Sequence, residues 1–289
     1  MAMRKLATKV LAAAIGIGAL AAAPSARADD IVLTGPLQGA PAARKMRMYR
    51  EGRFEIAPTI SFTLLDEYRR TIFTGARLQY NIKDWISLGV WGAYGLVQMT
   101  TDLTDQIDQT APRNSRTATN VNHTAAGTPA PFANQTAKMQ WVAAPQVQFT
   151  PFRGKLALFQ KVFVDTDLYV HGGVAFVGLQ ERAAQDGCGD AGQKACSDPA
   201  SFALQSRMAI APTFGLGLNF YTGDFISLGV EYRALPFSWN RAGFDQQGGG
   251  NSGKFPDTKV GKDDRTFKFN QMISIAIGFS LPAKPKTSD

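Results

Sequence analysis

The chain has 289 residues, 45% of them hydrophobic and 19% charged, which excludes disorder throughout and leaves room for a full core or a membrane structure. Its formal charge of +8 shrinks once Arg4, Lys5, Lys9 and Arg27 leave with the leader described next, since 27 basic side chains then face 23 acidic ones. So modest and scattered a surplus argues against nucleic acid as a partner.

The chain opens with a basic stretch, "MAMRKLATK", then the apolar "VLAAAIGIGALAAA", then Ala26-Arg27-Ala28 ahead of Asp29. That order is expected of a cleaved signal peptide over residues 1–28, and hence of an exported protein. The apolar run stops at Pro24, short of the roughly 20 residues of a membrane anchor. A periplasmic segment is expected over 29–52. Its basic end, "ARKMRMYREGR" from Ala43 to Arg53, suits lipid headgroups, a periplasmic partner or a flexible leader.

From residue 53 to 281 the sequence alternates with a period of two, while no segment holds 18 consecutive apolar residues. In "RFEIAPTISFT", Phe54, Ile56, Pro58, Ile60 and Phe62 share one face, and Glu55, Ala57, Thr59 and Ser61 the other. "TIFTGARLQYNI" and "WISLGVWGAYGLVQ" continue a meander, with Leu78, Tyr80, Leu88 and Val90 opposite Arg77, Gln79, Ser87 and Gly89. Next come "KMQWVAAPQVQFTPF", with Met139, Trp141, Val147 and Phe149 on the apolar face, and "DTDLYVHGGVAFVGL". "RMAIAPTFGLGLNFY", "FISLGVEYRA" and "RTFKFNQMISIAIGFSL" complete about eight strands. Their apolar face is aliphatic and aromatic, and their polar face is mostly Gly, Ala, Ser, Thr and Gln. Strands of this length with greasy side chains outward and small ones inward predict an all-β fold: a transmembrane antiparallel up-and-down β-barrel of about eight strands. Residues 282–289 are left as a periplasmic tail. A soluble sandwich is the competing reading, with strands of about five or six residues.

Aromatics gather where a membrane interface is expected: Tyr80, Trp85, Phe149, Phe152, Phe220, Tyr221 and Phe225 at one end, and Tyr94, Trp141, Tyr232 and Trp239 towards the other. The connections alternate in length. Leu65 to Arg70, Thr100 to Ala137, Arg182 to Ala200 and Pro236 to Asp264 read as outer loops, and Lys83-Asp84, Arg153 to Phe163 and Thr222 to Asp224 as inner turns. The near-repeat of "DWISLGV" (Asp84 to Val90) as "DFISLGV" (Asp224 to Val230) falls after two such turns, where equivalent corners meet equivalent demands or a hairpin was duplicated. Pro58, Pro145 and Pro212 fall inside strands, and bulges or bends are expected there.

Three stretches, "RFEIAPTISFTLLDEY", "LQYNIKDWISLGVWG" and above all "GKLALFQKVFVDTDLYVHGGVAFV", resemble an outer-membrane β-barrel family of myxobacteria and related deltaproteobacteria. The last carries Gly154, Lys155, Phe159, Asp167, Tyr169 and Gly172. The resemblance implies an outer-membrane location, an association with gliding-motility machinery for some members, and no catalytic residues to transfer. The chain departs from many outer-membrane barrels in that Phe279 is followed by "SLPAKPKTSD" instead of ending the chain.

Glu55, Arg77, His171, Arg207, Glu231 and Arg233 all fall on the small-residue faces, which places them in the lumen. Interior charges need partners. They are expected to plug the barrel with salt bridges or to line a narrow path for small solutes. Cys188 and Cys196, in "DGCGDAGQKACSD", suit a disulfide closing a small loop in an oxidising compartment, and two further ligands for a metal are missing nearby. No cofactor is expected. The histidines, His123 and His171, have no serine or carboxylate at a diagnostic spacing, so catalysis is not expected. The readings that remain are a platform binding outer-membrane lipid and, through its loops or periplasmic segment, envelope proteins; then a narrow channel for small or apolar solutes; then a lipid-modifying enzyme.

Overall fold

The computed structural model describes residues 48–110, 132–158, 162–182, 204–244, 260–282 and 286–287, all within the unit Lys45–Asp289. The leader, Cys188, Cys196 and His123 lie outside the described residues.

Eight strands close into an antiparallel barrel in which every neighbour in sequence is a neighbour in space. They are β2 (Phe54–Leu64), β3 (Arg69–Lys83), β4 (Ile86–Thr100), β5 (Lys138–Leu158), β6 (Val162–Arg182), β7 (Leu204–Tyr221), β8 (Ile226–Trp239) and β9 (Thr266–Leu281). The last strand pairs with the first, Ser274 opposite Ser61, so the sheet has no free edge along the ring. Outside it, β1 (Met48–Tyr49) pairs with β10 (Lys286–Thr287).

The alternation sorts the side chains as expected. On β2, Phe54, Ile56, Ile60 and Phe62 are exposed while Glu55, Ala57, Thr59 and Ser61 are buried. Leu78, Leu88, Val90, Val147, Val170, Leu216, Val230 and Ile275 extend the exposed apolar wall round the ring. In water such a surface would be a large aggregation hazard, whereas in hydrocarbon it is matched to its solvent. Tyr80, Trp85, Phe149, Phe152 and Phe225 lie exposed at the short-turn end, where the Trp85 and Phe149 rings meet edge to face at 5.9 Å. Together, the closed ring and its apolar wall make this a transmembrane barrel of the outer-membrane type.

Tyr221 does not belong to that girdle. It is 6% exposed, inside the short-turn mouth, because the odd residues of β7 point inward. Trp239 is likewise interior, at 4%. Met139 also points inward, since the register shifts between Met139 and Trp141 and the extra residue reverses the parity at the start of β5.

The register shifts at four places: Ile72/Phe73, Asn81/Lys83, Met139/Trp141 and Phe149/Phe152. None is at Pro58, Pro145 or Pro212, although the shift between Phe149 and Phe152 spans a fourth proline, Pro151. Pro58 stays opposite Ala76, Pro145 opposite Val90 and Pro212 opposite Val174. Pairing with the other neighbour lapses between Ile56 and Thr59, and between Ala143 and Gln146, without change of register. The missing donor thus parts the ladder on one side only. The expected inner turn from Arg153 to Phe163 is instead strand for most of its length, with Arg153 paired to Asp167 and Leu158 to Val162.

The longest outer connection that is described in part carries a helix, α1 (Asp102–Thr110), within the stretch expected to be an outer loop. It is tied down by the Thr101 and Thr104 hydroxyls, each donating at 2.6 Å to the carbonyls of Glu67 and Tyr68. Phe132 is fully buried beside it, stacked on Phe244 at 5.2 Å and edge-on to Tyr68 at 5.4 Å. Gln135 Nε2 donates to the Ala242 carbonyl at 3.0 Å, and Arg182 Nη1 to that of Gly243 at 2.8 Å. Three outer connections are thereby sewn into one cap.

A cation placed on the wall measures its solvent. Val90→Arg and Val230→Arg are each expected to lower folding stability by about 2–4 kcal/mol if these positions lie near the bilayer midplane, read from urea titrations in lipid vesicles.

Candidate functional site

The lumen is layered. At mid-height stands a charged cluster, built because inward-facing positions of β2, β3, β6 and β8 come level with one another. Arg77 donates through Nη2 to Glu55 Oε1 at 2.8 Å, and through Nη1 to Glu231 Oε2 at 3.1 Å and Tyr169 Oη at 2.6 Å. The Tyr169 hydroxyl donates in turn to Glu231 Oε2 at 2.9 Å. Arg233 Nη2 reaches Glu231 Oε1 at 2.6 Å and Gln146 Oε1 at 2.7 Å, and its Nη1 reaches Thr213 Oγ1 at 3.1 Å. His171 Nε2 stands 3.5 Å from Glu231 Oε1. Two guanidiniums therefore face two carboxylates, all four at most 4% exposed, which is the balance a buried cluster requires.

The expected lumen group is thus brought together for Glu55, Arg77, His171, Glu231 and Arg233, but not for Arg207. That residue sits at the long-loop rim, 2.5 Å from Glu181 Oε1, which Arg265 also holds at 2.6 Å. Parity had placed Arg207 in the lumen correctly. What it lacked was height, because β7 begins only three residues earlier at Leu204.

The glycines of "FGLGLNF" make room for this cluster. A Cβ at Gly217 would stand 2.4 Å from the Tyr169 ring, and one at Gly215 would stand 2.6 Å from His171 Nε2 and 1.9 Å from the Tyr232 carbonyl.

Above the charges lies an apolar layer that residue patterning missed. Phe73, Trp91, Val142, Val177, Leu179, Leu235, Phe237 and Met272 are all at most 5% exposed. The small-residue rule for barrel interiors fails here because the interior of eight strands is filled by side chains, and large apolar ones fill it without needing partners. Trp91 joins the layers: the Arg233 guanidinium lies 4.4 Å over its ring, and its Nε1 donates to Thr59 Oγ1 at 3.3 Å.

Below the charges is a polar layer of Gln79, Asn81, Ser87, Gln148, Asn219 and Ser227, each at most 7% exposed. The side-chain oxygens of Gln79, Gln148 and Asn219 have no protein partner there.

The short-turn mouth under this layer is occupied by the residues that precede the barrel. Arg50 turns into the opening, pairs with Asp167 through Nη1 and lies 4.3 Å over the Tyr221 ring. The amides of Arg50 and Glu51 donate to Asp84 Oδ1 at 2.7 and 3.0 Å. Arg53 Nη2 donates to the carbonyls of Asp224 at 2.7 Å and Pro282 at 2.9 Å. The basic segment, read as suiting lipid headgroups, a periplasmic partner or a flexible leader, thus spends these two arginines on the barrel itself. The two copies of the repeated motif also part here: Asp84 offers its carboxylate, Asp224 its backbone.

Partial burial works to raise the Asp84 carboxyl, but the two amide donors and Arg153, 3.5 Å away, outweigh it and hold the group below the ordinary aspartate range. Because the folded value is depressed, its contribution is present above the ordinary value of about 4 and is lost as pH falls through the folded one. Hydrogen exchange of the Arg50 and Glu51 amides is therefore expected to stay protected at neutral pH and to lose protection only below about pH 4. A second expectation separates cluster from rim. Arg77→Met leaves two buried carboxylates short of a partner and should cost about 3–5 kcal/mol, whereas Arg207→Met leaves Glu181 with Arg265 and should cost about 1 kcal/mol or less, both from urea titrations.

No protein-family model matches the chain, and no curated protein matches it. Among solved structures the chain is similar to the N-terminal β-barrel domain of OprF from Pseudomonas aeruginosa, at 9% identity over 80% of this chain and 98% of that one, with a TM-score of 0.40. It is similar to the outer membrane protein OprG of the same organism, at 10% identity over 81% and 98%, with a TM-score of 0.36. It is also similar to Ail, the attachment invasion locus protein of Yersinia pestis, at 10% identity over 80% and 99%, with a TM-score of 0.30. Likenesses at this level carry no function across.

Proposed function

We propose that the protein is a non-conducting barrel of the bacterial outer membrane that serves as a platform, offering its sewn loop cap to partners in the cell envelope. One observation carries this reading. The lumen is filled across its section twice over, by a neutralised charge cluster and by an apolar layer above it. Ions meet a desolvation barrier at the second even where the first is hydrated. The cap supplies the other half, since long loops held on a rigid ring are where such scaffolds place recognition. A place in a motility or envelope assembly, as the family resemblance implies, is part of the proposal.

A narrow channel is the second reading, favoured by the unpartnered amide oxygens of the lower polar layer, which call for water. The path would still have to cross the layer of Phe73, Trp91 and Met272. A lipid-modifying role has less support: His171 is buried at mid-lumen, away from both the wall and the rim.

Planar-bilayer recording decides between platform and channel. Purified full-length protein is expected to insert without single-channel steps, and reproducible steps from the unmodified protein would overturn the platform reading.

A further inference from the structure

The short-turn mouth has the chemistry of a cation site. It combines the Asp167 carboxylate, 1% exposed, with the Tyr221 ring face, whose hydroxyl lies 3.3 Å from Asp167 Oδ2. The backbone carbonyls of Asp224, Ser280 and Pro282 at the same end are taken by the neighbouring Arg53. A carboxylate beside an aromatic face is how a flat, weakly hydrated cation is recognised, and a guanidinium fits it better than an ammonium because it can stack and donate in one plane. Arg50 does both at once, pairing with Asp167 while lying over Tyr221.

Arg50 is not a residue of the barrel wall. It reaches the mouth from a segment held by separate contacts: the two amides on Asp84, the Gly52 amide on the Asn81 carbonyl at 2.8 Å, and the pairing of Met48 and Tyr49 with Thr287 and Lys286. The site and its occupant are therefore separable in a way that the Glu231 cluster, built entirely from strands, is not. Behind Arg50 lies the polar layer with its unpartnered amide oxygens, and Arg50 is itself only 6% exposed.

We propose that the short-turn mouth is a guanidinium-binding site, that Arg50 is its tethered resident ligand, and that its departure opens the lower polar layer to water-borne solutes. The apolar layer above is untouched by this step. Opening gives entry from one end without conduction through the barrel, so the proposal stands or falls separately from the platform reading.

Thiol access tests it. Ser227 belongs to that polar layer, 1% exposed and level with Tyr221. Ser227→Cys is placed in the full chain with Cys188→Ser and Cys196→Ser, and its modification by 2-sulfonatoethyl methanethiosulfonate is timed in detergent, with heat-dependent gel mobility confirming the fold. Modification is expected to be slow with Arg50 present and about tenfold faster with Arg50→Ala. Added ethylguanidinium should restore protection to Arg50→Ala, and ethylammonium at the same concentration should not. Equal rates with and without Arg50 would overturn the plug, and equal protection by the two cations would overturn the guanidinium site. If Arg50→Ala does not fold, Arg50→Lys poses the same question: it keeps the charge and loses the planar fork, and labelling as slow as the parent's would refute the proposal. Asp84→Asn, which loosens the segment and leaves the site intact, should fall between the two rates.

Discussion

Eight strands closed on themselves leave an interior only about as wide as the side chains that fill it, so whatever points inward must pack or pair inside the ring. For charged residues this is severe, because a carboxylate at mid-membrane depth has neither bulk water nor lipid to turn to. Glu231 illustrates the solution. It takes Arg233 on one oxygen and Arg77 and Tyr169 on the other, while Glu55 completes the coordination of Arg77. Each partner comes from a different strand or a different height, so the cluster exists only when the ring is closed in its native register. A slip of one residue in any of these strands would turn its charge into the lipid.

Local details of the sheet serve that closure. The four register shifts sit at the ends of strands or next to interior side chains that need redirecting, as where Met139 is turned inward beside Trp141. Glycines under Tyr169 and His171 let the cluster lie flat against the wall. Pro58, Pro145 and Pro212 lie on the outward face, where losing one donor parts a single pair and leaves the register intact.

The two ends of the barrel are closed by different physics. At the long-loop end, aromatic packing around Phe132 and hydrogen bonds to backbone carbonyls join connections that are far apart in sequence. At the short-turn end two arginines from outside the ring suffice: Arg50 meets an acid and an aromatic face, and Arg53 takes backbone carbonyls. The first closure is broad and spread over many groups, while the second rests on a few. A few contacts open more readily than many.

Alternation alone disclosed the strands, the wall and the direction of each charge, because the period of two is a property of the strand backbone and holds wherever no bulge interrupts it. From it followed the eight-stranded ring, the girdle at Tyr80, Trp85 and Phe149, and the inward set of Glu55, Arg77, His171, Glu231 and Arg233. Height along the barrel was not legible, since it depends on shear between strands, and so Arg207 was grouped with a cluster it never reaches. Inward does not mean small either: Phe73, Trp91 and Met272 fill the interior because packing, not periodicity, decides what size fits. Nor could pattern show that Arg50, outside every strand, would end inside the mouth. That outcome required Asp167, Tyr221 and Asp84, distant along the chain, to be assembled into one place by the closure of the ring.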